Sequence, residues 1–249
     1  MSIHTATRSI RALTILCLLF STAVCQAVVI NEIRIDQPGA DTDEYVELYG
    51  SEGENLDNLS YLVIGDRGSN QGYIEARVNL SGYRIAADGF FLLAEPSFSL
   101  SPDVDLMTAL NFENNDNVTH MLVSDFTGSL HNDIDRNDDG VIDNLLWGSI
   151  VDSVALLASR KGGDIVYSAT TIGPQGGTSP AHVYRAIDQI GAWQAGPPEP
   201  GSDDSPRLPR TANHVASIPE PASLMLLLTG LLLMMCFKQT TTSRRLNNT

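Results

Sequence analysis

Between Asp133 and Asp143 the chain reads Asp-Ile-Asp-Arg-Asn-Asp-Asp-Gly-Val-Ile-Asp, the stretch whose residue types and spacing come closest to chemistry. Counted from Asp135, the frame is Asp-x-Asn-x-Asp-Gly-x-Ile-Asp. Calcium takes roughly six to eight oxygen ligands, and alternate side chains on one side of a loop supply them, with a glycine letting the chain turn. The expected ligands are Asp135, Asn137, Asp139, the Val141 carbonyl and Asp143, the last directly or through water. Asp133 offers a further carboxylate, and Ile142 would pin the loop to the core. The same residues also read as a solvated acidic turn, and the spacing leaves both readings open.

The loop resembles those of dockerins and thrombospondin-like repeats, over the loop alone. A complete EF-hand carries a glutamate at the twelfth position; here that position is Leu146, so the bidentate ligand is missing and Asp133 is its candidate substitute.

Other constellations are thinner. His120, His131, His182 and His214 fall in no His-x-His or His-Glu-x-x-His spacing, and neither a Gly-x-Ser-x-Gly elbow nor a phosphate-binding Gly-rich loop ending in Lys-Ser/Thr occurs. The glycines from Gly162 to Gly177 read as a flexible loop. Asn31, Glu32 and Glu47 read as structural, capping loops or accepting backbone donors, and Trp193 as an aromatic closing the last strand. A carboxylate pair brought together by folding could still form a glycosidase dyad, although no motif announces one. No catalytic residue is therefore assigned.

Charge narrows the partners. Residues 28 to 218 hold 29 acidic against 10 basic side chains, a formal balance of −19. Such a surface repels phosphate backbones and anionic headgroups and attracts divalent cations, so nucleic acid is not an expected partner.

The apolar residues cluster at the two ends. Arg8 and Arg11 precede a run from Ala12 to Val24, and Cys25-Gln26-Ala27 places small residues where signal peptidase needs them. Residues 1–27 are expected to be a signal peptide cut between Ala27 and Val28. At the other end Pro219-Glu220-Pro221 is followed by sixteen uncharged residues, Ala222 to Phe237, then by Lys238 and Arg244-Arg245. As a helix these sixteen span about 24 Å, short of the roughly 30 Å hydrocarbon core, and a snorkelling Lys238 would extend their reach. Basic residues after the span place the acidic bulk outside the cytoplasm. All three cysteines, Cys17, Cys25 and Cys236, lie in these end segments, so the middle must fold without disulfides.

The order of tripeptide, short apolar helix and basic terminus resembles the PEP-CTERM sorting signal of exopolysaccharide-producing Gram-negative bacteria, over residues 219–249. The resemblance implies recognition by an exosortase, a membrane protease acting near the tripeptide, and membrane attachment through helix 222–237 before processing. The basic residues are split here, where that family clusters them directly after the helix.

The elements that would hold these features are short strands. Val28–Ile35, Tyr45–Tyr49, Tyr61–Ile64, Ala76–Leu80, Phe90–Ala94, Val118–Val123, Ile150–Leu156 and Val183–Ala186 are apolar or alternating runs punctuated by turns. An all-β, antiparallel sandwich is expected, with Val46 and Leu48 on one face and Tyr45, Glu47 and Tyr49 on the other. In their order, Val28-Val-Ile-Asn-Glu-Ile33, Glu44-Tyr-Val-Glu-Leu-Tyr49, Tyr83-Arg-Ile-Ala-Ala-Asp-Gly-Phe-Phe-Leu-Leu-Ala94 and Gly191-Ala-Trp193 resemble a lamin-tail domain, which implies an immunoglobulin-like sandwich over residues 28–196. Residues 131–146 are then an inserted acidic loop, and residues 197–218 a Pro- and Asp-rich extended linker.

These readings together describe an exported, non-catalytic cell-surface or matrix protein, binding or scaffolding exopolysaccharide or envelope proteins. The alternatives are a secreted phosphoesterase or glycosidase with an unrecognised site, and a structural subunit of a surface assembly.

Overall fold

A computed structural model describes residues 27–67, 70–110, 112–160, 165–196 and 208–213. The expected leader up to residue 26, the tripeptide at 219–221 and the apolar run 222–237 lie outside the described residues. Among the described residues no helix is long and apolar enough to cross a membrane.

Among the described residues eleven strands form two sheets. In chain order they are β1 (Val29–Arg34), β2 (Tyr45–Tyr49), β3 (Leu59–Arg67), β4 (Asn70–Asn79), β5 (Phe90–Ala94), β6 (Leu106–Met107), β7 (Val118–Ser124), β8 (Ser149–Leu156), β9 (Thr171–Ile172), β10 (His182–Arg185) and β11 (Trp193–Ala195). One sheet runs β11-β10-β1-β2-β5-β6, the other β4-β3-β7-β8-β9. The all-β expectation holds. The sheets are mixed, however, because β5–β6 and β8–β9 pair in parallel. Parallel neighbours need a connection that returns the chain to the same end. Residues 95–105 provide it in the first sheet, and β6 and β9 are two-residue edge strands too short to show in the sequence pattern.

Burial follows the alternation. Val46 and Leu48 of β2, Phe91 and Leu93 of β5, Tyr61 and Val63 of β3, and Val118 and Leu122 of β7 all belong to one apolar cluster drawn from both sheets. The strands that read as continuous apolar runs are buried on their second face as well. Leu92 and Ala94 pack with Tyr45 beneath Phe98, Leu100 and Val104. Leu62, Ile64, Met121 and Val123 pack with Ile134, Trp147 and Tyr167, so the inserted loop covers the outer face of the second sheet.

The first strand breaks its own alternation. Ile30 and Ile33 both belong to the central cluster, and the β1–β2 register shifts between Ile30 and Glu32. This bulge turns two consecutive polar residues, Asn31 and Glu32, towards the face that carries Tyr45 and Glu47. It is fixed from the other sheet: Asp152 of β8 accepts the Ile30 N–H (2.9 Å) and an Arg185 Nη2 proton (2.8 Å), and Arg185 Nε donates to the Ile30 carbonyl (2.8 Å). The Arg185 guanidinium also lies over the Trp193 ring, 4.7 Å from its centroid. Trp193 therefore closes the last strand by packing.

Asp152→Ala would remove the carboxylate from this crossing and leave the Ile30 N–H and Arg185 short of an acceptor. The expected loss is about 2–4 kcal/mol of unfolding free energy, read as a lower urea midpoint. Asp152→Asn, which still accepts from Ile30, should recover part of it.

Candidate functional site

The acidic loop is built against the edge of the second sheet. His131 N–H donates to the Ile74 carbonyl (2.8 Å), Ile74 N–H to Asn132 (3.0 Å) and Ile134 N–H to Gly72 (2.9 Å), so residues 131–134 cover part of the free edge of β4. Gly72 has φ +79°, and a Cβ there would lie 2.8 Å from the Tyr167 hydroxyl and 2.9 Å from the Asp135 Cβ, which excludes any larger residue. Ile134 is fully buried and Ile142 packs beside it, so the loop is pinned as its apolar residues suggest.

Asp135 is turned inward and fully buried. Its Oδ1 accepts the Asp139 N–H (3.2 Å), and its Oδ2 accepts the Gly140 N–H (2.8 Å) and the Tyr167 hydroxyl (2.9 Å). Burial, and next the bond to Asp135, raise the Tyr167 hydroxyl above the usual phenol range. Asp133 Oδ1 accepts the Asp135 N–H, Asp139 Oδ1 the Val141 N–H, and Asp139 Oδ2 an Asn137 amide proton. Gly140, at φ +82°, makes the turn. Asn137, Asp139, Val141 and Asp143 are exposed while Asp135 is buried. Among the described residues no group of three or more His, Cys, Asp or Glu side chains is placed to hold a metal ion.

A second constellation sits on the outer face of the first sheet, where the bulge delivers its side chains. Glu32 and Glu47 are register partners on β1 and β2, and both are fully buried. Glu32 Oε1 accepts from the Tyr45 hydroxyl and lies 2.8 Å from His182 Nε2. Glu47 Oε1 accepts an Asn31 amide proton (3.0 Å), and the same Asn31 nitrogen reaches Asp188 Oδ1 (2.9 Å). Burial pushes Glu32 up to about 8, and the bond from Tyr45 only partly offsets it. Burial, then the neighbouring Glu32, hold Glu47 well above the carboxylate range. Paired acids with raised affinity for protons, beside a tyrosine and a histidine, have the chemistry of general acid–base catalysis. Here they are roofed by residues 186–191 and by residues 208–213, so their hydrogen bonds go to the protein itself.

The sequence presents Asn31, Glu32 and Glu47 as separate structural residues and does not announce this cluster. Its one signal is the polar pair between Ile30 and Ile33, one residue too many for strict alternation. His182 and Asp188 join through the β1–β10 pairing, which no local pattern reveals. His120, by contrast, lies in the central core. Its Nδ1 is 2.5 Å from the Tyr61 hydroxyl, and burial pushes it down to about 3, leaving it neutral.

Solvent reaches a different place, an open hollow of about 310 Å³ lined by Tyr49, Ser51, Glu52, Asp88 and Gln189 among others. It offers an aromatic ring surrounded by hydroxyl, carboxylate and amide groups. Compared with protein-family models, with curated proteins and with solved structures, the chain gives no match to any of them.

The buried glutamates set a pH dependence with a definite sign. Glu32 binds its proton more tightly folded (about 8) than its ordinary value of 4.5. The folded state therefore holds more protons between those values, and stability falls as pH rises through that window, by at most about 1.4 kcal/mol per unit for each such group. Glu32→Gln should flatten the decline, measured as urea midpoints from pH 5 to pH 8. A slope unchanged by the substitution would remove Glu32 as its source.

Proposed function

We propose that the chain is an exported, non-catalytic surface or matrix protein, whose lamin-tail-like, immunoglobulin-like sandwich binds exopolysaccharide or other envelope components. The observation that carries this reading is the contrast between two sites. The paired acids that could catalyse are sealed, while the open hollow around Tyr49 is lined by an aromatic residue and by polar groups able to hydrogen-bond a saccharide's hydroxyls. The domain is then a binding module delivered to the envelope.

The delivery rests on the two ends. Val28 is buried at the start of the domain, and its N–H lies 3.1 Å from Glu54 Oε1. A cut between Ala27 and Val28 would convert that nitrogen to an ammonium already facing a carboxylate, which favours this junction. Pro219-Glu220-Pro221 and the apolar run after it support sorting by an exosortase, with membrane attachment through residues 222–237 until the tail is removed. A role as structural subunit of a surface assembly differs only in taking an envelope protein as ligand. A phosphoesterase or glycosidase activity is the runner-up, with Glu32 and Glu47 as the residues it would need.

Calcium belongs to the same reading. Asp135 Oδ1 and both Asp139 oxygens each accept one hydrogen bond, which leaves each a lone pair for a cation.

The binding test is retention of the purified chain on extracellular polysaccharide, compared with Tyr49→Ala. Wild-type retention reduced about tenfold in the variant is expected; retention only by envelope proteins would favour the assembly reading, and turnover on glycoside or phosphoester panels the enzyme. For calcium, affinity on the order of 10⁻⁴ to 10⁻³ M is expected in the absence of a twelfth-position glutamate. Millimolar calcium should raise the melting temperature of the wild type and of Glu52→Ala, but not of Asp139→Ala. Equal shifts in all three would mean charge screening.

A further inference from the structure

Within the span expected to be a free linker, residues 208–213 lie against the domain. They read Leu-Pro-Arg-Thr-Ala-Asn, and their contacts are made to three separate parts of the first sheet and its loops. The Arg210 guanidinium meets two carboxylates: Nε and Nη2 reach Asp88 at 2.9 and 3.1 Å, and Nη1 reaches Asp105 at 2.5 Å. Nη1 also donates to the Asp103 carbonyl (3.2 Å), and the Arg210 N–H donates to Glu47 Oε2 (2.5 Å). Three residues on, Asn213 is buried and its N–H donates to Asp188 Oδ1 (3.0 Å).

The socket is shaped by the domain and not by its occupant. Asp88 Oδ1 accepts the Phe90 N–H, Asp105 Oδ2 accepts the Leu92 N–H, and Glu47 is held by Asn31. The carboxylates are thus aimed by the sheet, and a planar guanidinium spanning two of them is what such a fork selects. Arg210 keeps only 13% of its side-chain surface exposed and adopts φ +61°, a left-handed conformation that non-glycine residues seldom take without surrounding contacts.

We propose that the face formed by Glu47, Asp88, Asp105 and Asp188 is a docking site for an arginine-bearing turn, and that its occupant is the chain's own residues 208–213, acting as a latch on the tether. Latched, the domain is joined to Pro219 by residues 214–218, five residues, in place of the twenty-two from 197 to 218. At about 3.5 Å per residue the greatest reach from domain to Pro219 falls from about 80 Å to about 20 Å. The latch therefore fixes how far the domain can stand from whatever holds the tail. It is made of contacts within the chain, and one of its carboxylates, Asp88, also lines the hollow at Tyr49.

Trypsin reads the latch directly, because the residue it must take into its pocket is Arg210 itself. In the full chain, brief digestion followed by mass spectrometry should show the Arg210–Thr211 bond cut at least tenfold more slowly than in Asp88→Asn/Asp105→Asn. That double variant keeps an acceptor oxygen for Phe90 and Leu92 and leaves the sequence around the cut unchanged. Arg210→Lys provides a second variant with every socket carboxylate in place; a lysine cannot bracket two aspartates, and cleavage after residue 210 should be at least threefold faster than in the wild type. Hydrogen exchange of the β2 and β5 amides checks that the sheet is intact in each. Equal cleavage in the wild type and in a variant whose sheet is intact would overturn the proposal.

Discussion

The structure turns on one irregularity in its first strand. A strand that alternated strictly from Ile30 would send Asn31 and Glu32 to opposite faces, and every residue after them would change sides. The bulge absorbs one residue. Ile33 returns to the core while Asn31 and Glu32 stay together on the outer face. A bulge leaves ladder groups unpaired, and here the unpaired N–H and carbonyl belong to Ile30. Asp152 and Arg185, themselves an ion pair with about 14% of each side chain exposed, satisfy both. One carboxylate from the second sheet thus holds the defect in the first, and the same contact ties the two sheets together.

The bulge creates a polar layer where a sheet's outer face would ordinarily meet water. Burying Glu32 and Glu47 side by side is costly unless a proton is retained, and both hold theirs well above the ordinary range. The remaining lone pairs need donors, and the local chain cannot supply them all. Residues 208–213 supply one, the Arg210 N–H to Glu47 Oε2, and residues 186–191 hold Asn31 through the Gln189 N–H, while Glu32 Oε2 is left without a hydrogen-bond partner among the described residues. The segment expected as an extended linker is, over residues 208–213, part of the covering of the domain. Its proline- and aspartate-rich composition argues for extension, but residues 208–211 close a turn, with the Thr211 N–H donating to the Leu208 carbonyl (3.0 Å) and Arg210 at φ +61°. Composition does not reveal that a matching socket lies some hundred residues earlier.

Legibility in the sequence divides along the same line. The strands whose apolar residues alternate or run together are readable: β2 and β5 occupy the spans their residues suggest, and Val46, Leu48, Phe91 and Leu93 face inward. The two-residue strands β6 and β9 carry no periodicity and exist only because a neighbouring edge offers partners. The acidic loop is readable as a turn pinned by Ile142 and closed at Gly140. Its seat against β4 depends on Gly72 and Tyr167, which are remote in sequence. The Glu32, Glu47 and His182 cluster is not readable, because it needs the bulge, the β1–β10 pairing and residues 208–213 at once.

The acidity of the chain also takes on a different meaning. A surplus of carboxylates suggests a surface that repels anions, and part of it is that. Many of these groups, however, are acceptors for main-chain donors that no strand satisfies: Glu54 for Val28 and Ser51, Asp57 for Gly82, Asp43 for Ser99, Asp138 for Gln71, and Glu44 for Phe112. A carboxylate used this way makes a stronger bond than a neutral acceptor and closes a loop without a hydrophobic contact. In a domain whose cysteines all lie elsewhere, such bonds do at the loop ends what cross-links do in small exported domains. Cations must then compete with N–H donors for the same oxygens. The distinction between acids that hold the fold and acids left to bind something is therefore set by how many lone pairs the backbone has already taken, and net charge alone does not reveal it.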